Sequence, residues 1–279
     1  MKRWPVAATF RVRSCTTLRH PSRARAIGAG LFLGFALGPA GVLSAAAFRV
    51  TPIQVALSSS NSSALLTLTN ESSETLRFQV SAHAWTQGRK GEIELAPTQD
   101  IVFFPALLTL EAGKERKIRI GTSASPGAVE KTYRIFVEEL PPVEPPKESA
   151  APRSEVRVRT KMGIPIFLQP AAKPQVAGAI ESPALEGGQL RFRVRNTGNV
   201  HFTLLSVRIT GTSASGETIF EKQAEGWYVL PGGIREYEIP VPPAECAQVK
   251  VFALEAANER ETMKARLDAP PGACAPASH

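Results

Sequence analysis

Glu130-Lys-Thr-Tyr-Arg-Ile-Phe-Val-Glu-Glu-Leu-Pro-Pro142 and Val156-Arg-Val-Arg-Thr-Lys-Met-Gly-Ile-Pro-Ile-Phe-Leu-Gln-Pro170 are two β-patterned runs joined by a Pro/Glu/Ala-rich spacer. The second run is long. Its even positions Val156, Val158, Thr160, Met162, Ile164, Ile166 and Leu168 share one strand face, and the odd face opens with Arg157, Arg159 and Lys161. A strand that alternates this far beside a loose spacer can pair outside its own sheet. The alternative is that these residues fill their own domain's core, and Ile164, Ile166 and Leu168 suit that role best. The spacer Pro141–Arg153 reads either as a segment ordered by a partner or as a plain loop.

Working outward, further strands are expected over Phe48–Leu57, Ala64–Asn70, Leu76–Trp85, Ile101–Phe104, Lys117–Ile120 and Tyr133–Leu140. Turn signals separate them, including Asn70-Glu-Ser-Ser-Glu74 and Gly88-Arg-Lys-Gly91. That spacing predicts an immunoglobulin-like β-sandwich over 48–170. A second block, 171–279, repeats the pattern with Gln189–Arg195, Phe202–Ile209, Glu217–Phe220, Trp227–Val229 and Tyr237–Ile239. It ends in a hairpin of Ala247–Ala256 and Glu261–Ala269. Ala171–Pro183 is the connection or an opening strand. The fold class is therefore all-β, with two sandwiches.

Residues 1–47 read as a cleaved secretion signal, with Lys2, Arg3, Arg11, Arg13, Arg19, Arg23 and Arg25 before an uncharged stretch ending in Ala45-Ala-Ala47. An uncleaved membrane anchor is the competing reading; Pro39 and the many glycines oppose it. The net charge of +8 belongs mostly to this leader, because the 33 basic residues less these seven leave 26 against 25 acids. Nucleic-acid binding gains nothing from the basic pI, and no stable membrane insertion is expected after cleavage. Cys15 leaves with the leader. Cys246 and Cys274 fall near the open end of the last hairpin and are expected to form a disulfide, against two free thiols.

Enzyme chemistry finds little support. The histidines beyond the leader, His83, His201 and His279, hold no metal-ligand spacing, and no nucleophile elbow, phosphate loop or dinucleotide fingerprint occurs. Glu138 and Glu139 are adjacent on a strand and point to opposite faces. No enzyme activity and no cofactor are expected.

Phe48-Arg-Val-Thr-Pro-Ile-Gln-Val, Leu66-Thr-Leu-Thr-Asn-Glu-Ser, Gln79-Val-Ser-Ala-His-Ala-Trp85, Glu130-x-x-Tyr-Arg-Ile-x-x-Glu-Glu-Leu-Pro and Gly163-Ile-Pro-Ile-Phe-Leu-Gln-Pro170 resemble the periplasmic chaperones of usher-dependent pilus (fimbria) assembly. The likeness is to the nonclassical, archaic-type branch. It is strong over 48–170 and weaker in Val194-Arg-Asn-Thr-Gly-Asn-Val-His and Leu230-Pro-Gly-Gly. The resemblance implies two immunoglobulin-like domains set as a boomerang. It implies a periplasmic chaperone that stabilises pilus subunits by donating a strand and delivers them to an outer-membrane usher. Val156, Val158, Thr160, Met162 and Ile164 would be the donor residues, and Glu130 an interdomain acid whose usual Arg partner is missing. An exposed apolar edge also makes self-association of the free molecule plausible, which the sequence leaves open. Better-known members grip the subunit's C-terminal carboxylate with two basic residues. Gln54 and Pro165 stand at those positions here, and Gln169 replaces an Arg, so that anchor does not carry over. Lys161 or Arg159 are its candidate substitutes, against a solvated basic strand face. A second functional class is a secreted sandwich module with a structural or adhesive use in a surface assembly.

Overall fold

The computed structural model describes residues 48–142 and 158–274. The expected leader, Val156 and most of the spacer lie outside them. Among the described residues, ten strands precede residue 170: β1 (Phe48–Thr51), β2 (Val55–Leu57), β3 (Ser63–Asn70), β4 (Leu76–Gln87), β5 (Ile93–Pro97), β6 (Ile101–Phe104), β7 (Leu107–Leu110), β8 (Glu115–Thr122), β9 (Lys131–Leu140) and β10 (Lys161–Leu168). One sheet runs β1-β3-β8-β6. The other runs β2-β10-β9-β4-β5, with β7 also on β4. Alternation drives the packing: Leu66 and Leu68 face Ile118 and Ile120 from one sheet, and Phe78, Ile135, Val137, Ile164, Ile166 and Leu168 close the core from the other.

The expected strand Phe48–Leu57 is two strands in different sheets, because the chain leaves one sheet after Thr51 and joins the other at Val55. Strands β5 and β7 were not expected. Both are short, five and four residues, too brief for a periodic pattern to mark them.

The second sandwich holds β11 (Gly178–Glu186), β12 (Gln189–Asn196), β13 (Phe202–Thr203), β14 (Ser206–Thr212), β15 (Thr218–Ala224), β16 (Tyr228–Val229), β17 (Ile234–Pro240), β18 (Val251–Ala257) and β19 (Thr262–Asp268). Its sheets are β11-β12-β17, the pair β13-β16, and β15-β14-β18-β19. Leu190, Phe192 and Val194 meet Val207, Ile209, Phe252 and Leu254 in a separate core. The run 202–209 is broken into two strands at Leu204-Leu205, and the opening strand begins at Gly178 rather than Ala171. Residues 243–246 form one helical turn, α1 (Pro243–Cys246), and the hairpin strand expected from Ala247 begins at Val251. Proline suits a helix's first position, and Pro242-Pro243 end the preceding extended chain. Cys246 and Cys274 form the disulfide, with Cα atoms 5.7 Å apart.

A buried asparagine locks a turn in each sandwich. Asn70 Nδ2 donates to the Leu110 and Glu74 carbonyls, and Asn196 Nδ2 to those of Val200 and Val229. Each side-chain oxygen accepts from the backbone two residues on, at Ser72 and Gly198.

Candidate partner-binding edge and domain junction

Strand β10 pairs with β9 along its whole length, from Lys161 opposite Glu138 to Leu168 opposite Lys131. On its other side it pairs only at Ile166–Leu168, with parallel β2. The Thr160 carbonyl extends the β9 ladder by accepting from the Glu139 N–H at 3.0 Å. Among the described residues, nothing pairs with the outer edge of β10 before Ile166.

The face of this strand changes along its length. Ile166 and Leu168 are core residues, and so is Ile164, which is 1% exposed. Met162 packs half-buried against the same core, Thr160 is half-buried and Val158 is 67% exposed. The apolar stripe thus runs off the end of its own sandwich into solvent. Of the five donor candidates, Ile164 is committed to this chain's core, so its side chain cannot enter another protein; register opposite Ile135, at the sandwich centre, is the reason. Val156 lies outside the described residues.

On the odd face, Lys161 Nζ sits 2.9 Å from Glu138 and 5.0 Å from the centre of the Phe136 ring. A cation held this way on the surface is a weak ion pair, already partnered. Arg159 is exposed beyond the first assigned residue of β10. Sequence reasoning overlooked a third cation, Arg134 on β9, opposite Pro165. Alternation carries Tyr133, Ile135 and Val137 into the core and turns Arg134 outward, yet it is only 8% exposed. Its guanidinium lies 4.2 Å from the Trp85 ring centre. Arg134 Nε, Trp85 Nε1 and the Nδ1 of His83, which pairs with Arg134 in register, all lack a hydrogen-bond partner among the described residues. Burial pulls Arg134 below the ordinary guanidinium range, opposed by the Tyr228 phenol beside it. Burial likewise pushes the Tyr228 phenol up, opposed by Arg134. A guanidinium keeps its charge, so burial with Nε unpartnered leaves that charge without a compensating anion among the described residues.

Arg134 is buried because two domains meet here. Trp85 and Phe167, on the outer face of the first sandwich, pack with Leu230 and Tyr228 of the second. The His201 ring stacks on Phe167 at 3.5 Å between centres. The same histidine meets Glu130 Oε2 through Nδ1 at 2.6 Å and through its backbone N–H at 2.8 Å. His201 therefore stands where the missing arginine partner of Glu130 was expected. Gln87 clamps the junction twice, donating to the Tyr228 carbonyl and accepting from the Leu230 N–H. The Tyr228 hydroxyl donates to Gln54 Oε1 at 3.2 Å. Past Gln87, the β4–β5 turn reaches β17, where the Glu236 N–H donates to the Arg89 carbonyl and the two side chains pair at 3.0 Å.

Fold and site together define a two-domain β-sandwich protein with an unfilled strand edge running towards a buried cation at the domain junction. Residues 47–174 match the family described as Pili and flagellar-assembly chaperone, PapD N-terminal domain. No curated protein matches the chain's sequence. Several solved chaperones share its fold. The CsuC chaperone, in its pre-assembly complex with the tip subunit CsuE from archaic chaperone-usher Csu pili of Acinetobacter baumannii, is 17% identical with a TM-score of 0.52, over 79% of this chain and 98% of that one. The class 5 fimbriae chaperone CfaA is 17% identical with a TM-score of 0.52, over 81% and 100%. The structure of the Salmonella enterica SafA pilin with the SafB chaperone matches at 15% identity and a TM-score of 0.52, over 80% and 97%. Residues 47–174 thus match the N-terminal domain of pilus-assembly chaperones, and the described residues share the fold of the solved ones.

Proposed function

We propose that this protein is a periplasmic chaperone that binds pilus subunits by lending them the edge of β10. In this reading the leader 1–47 is removed on export, and the domains span 48–170 and 171–279. The observation that carries it is the stripe of Val158, Thr160 and Met162, which continues the core face of Ile164–Leu168 beyond the sandwich on a strand whose outer edge is unpaired among the described residues before Ile166. Val156 extends the same parity. Main-chain hydrogen bonds along such an edge supply affinity, and alternate side chains supply specificity. Burying one aliphatic side chain contributes about 1.5–3 kcal/mol, so three or four together contribute roughly 5–10 kcal/mol before ordering costs.

Arg134, rather than Lys161 or Arg159, is the cation we assign to the subunit's terminal carboxylate. It is buried at the end of the open edge and lacks a carboxylate partner among the described residues, whereas Lys161 is already paired. A charge-assisted pair formed out of water is stronger than one on an exposed face. The disulfide between Cys246 and Cys274 fits an oxidising compartment. Delivery of the bound subunit to an outer-membrane usher completes the proposed cycle, and the same open edge would let free molecules associate.

The test is co-expression with a pilus subunit. The subunit is expected to be recovered as a soluble 1:1 complex, and aspartate at both Val156 and Val158 is expected to abolish recovery. Intact binding after that double change would sink strand lending. If the chain instead stayed within isolated fibres, the structural or adhesive module would be the better reading.

A further inference from the structure

Glu139 is a charge that neither the core nor the lending edge uses. On β9 it shares the parity of Tyr133, Ile135 and Val137, so it faces the inside of the first sandwich, and it is 9% exposed. Its Oε2 is buried and has no hydrogen-bond partner among the described residues. An ionised carboxylate withdrawn from water is strongly disfavoured unless a donor or a cation meets it. The cations at this end of the sandwich are turned elsewhere: Arg49 pairs with Glu71, Lys161 with Glu138, and Arg77 donates to the Pro141 carbonyl. Arg116, opposite Leu68 on β8, is exposed.

Strand register identifies the neighbours of this carboxylate. The Glu139 N–H donates to the Thr160 carbonyl, and on its other side Glu139 stands opposite Phe78 of β4. The Phe78 ring meets Phe48 edge-on, with centres 5.0 Å apart. Phe48 opens β1 in the facing sheet, level with Asn70, and the short turn from Asn70 to Leu76 sets Phe48 and Phe78 at the same end of the sandwich. The start of β1 and the unpartnered carboxylate therefore lie at one end, on facing sheets, with Phe78 adjoining both. Facing sheets lie about 10 Å apart, a gap that a glutamate side chain and a chain-terminal ammonium can close from opposite sides.

Resting on the proposed removal of residues 1–47, we infer that Glu139 is the acceptor for the α-ammonium that leader cleavage creates on Phe48. While the leader is attached, the Phe48 nitrogen is an uncharged amide. Hydrolysis of the Ala47–Phe48 bond adds one water. The Ala47 carbonyl carbon takes the hydroxyl, and the Phe48 nitrogen takes the hydrogen and then the proton that the new carboxyl group releases. The ion pair closes the end of the sandwich from which Val158, Thr160 and Met162 emerge, and it forms only in the processed chain. Leader removal thereby stabilises the fold that presents the lending edge.

The test uses the full chain exported with its own leader, in four forms: wild type, Glu139→Gln, two glycines inserted between Ala47 and Phe48, and both changes together. Intact mass and N-terminal sequencing should find Phe48 as the first residue of the wild type. In urea unfolding each single change should raise the unfolding equilibrium constant about tenfold, and the double change should exceed either single one by no more than about threefold. Cyanate, which modifies the uncharged amine, gives a second readout that needs no change at Glu139. It should react with the wild-type α-amine at least about fivefold more slowly than with the glycine-inserted one. Cleavage before Phe48 with fully additive effects, or with equal cyanate rates, overturns the ion pair alone. A different first residue, or a leader that stays attached, overturns the leader boundary and the pair with it.

Discussion

Arg134 is where single-residue chemistry and position diverge most. A guanidinium over an indole, buried and without a carboxylate among the described residues, costs folding free energy that a bound anion would return. Arg134→Met should therefore leave the free chain as stable as wild type or more so in urea unfolding, while the subunit Kd rises about tenfold to 150-fold, the equivalent of one charged hydrogen bond. A loss of stability with unchanged binding would make Arg134 a structural residue. Strand parity pointed to Lys161 and Arg159 because it separates outward from inward, but it cannot tell exposed-outward from covered-outward. The available signal was an arginine placed between Tyr133 and Ile135 in an otherwise apolar run. Glu130 shows the same limit: its acid was legible, but its partner His201 lies 71 residues away and is set by the domain junction.

The apolar face that starts at Val158 passes from solvent into the core along β10, and that boundary is the strand's main property. Ile164→Asp would place an unpaired charge in the first core and should unfold the sandwich, a loss above about 4 kcal/mol. Val158→Asp, by contrast, should change the unfolding midpoint by no more than about 0.5 kcal/mol equivalent, since the side chain is exposed, yet it should abolish subunit recovery. Circular dichroism melts beside a pull-down separate the two outcomes. If Val158→Asp lost the fold as well, the stripe would be core throughout. The even-numbered apolar stripe was legible from residues 156–168, because strand period is local. Where the core stops was not, because it depends on how far β9 and β4 extend beneath.

At the scale of the molecule, the β4–β5 hairpin joins the domains as much as the linker does. Gln87 bonds the second sandwich through both ends of its amide, and Gly91, with φ of +86°, allows a tight turn where a Cβ would strike the Arg235 side chain. These contacts predict that the two sandwiches unfold together. Gln87→Ala leaves the Leu230 N–H and the Tyr228 carbonyl without partners, each a loss of about 1–3 kcal/mol, and should split the calorimetric transition in two. A single transition in the variant, at the wild-type temperature, would show that the hairpin does not couple the domains. Nothing in Gly88-Arg-Lys-Gly91 announces this role beyond a turn.

Sequence by itself determined the all-β class, the turns, the Cys246–Cys274 pairing and the long alternating run, because each rests on nearest-neighbour backbone preference or on a two-residue period. Only the tertiary structure decided which part of that run is core and which is edge, that β2 closes one end, and that Arg134 and His201 meet the junction. Burial is a property of what covers a residue, and here the cover comes from segments far away in the chain.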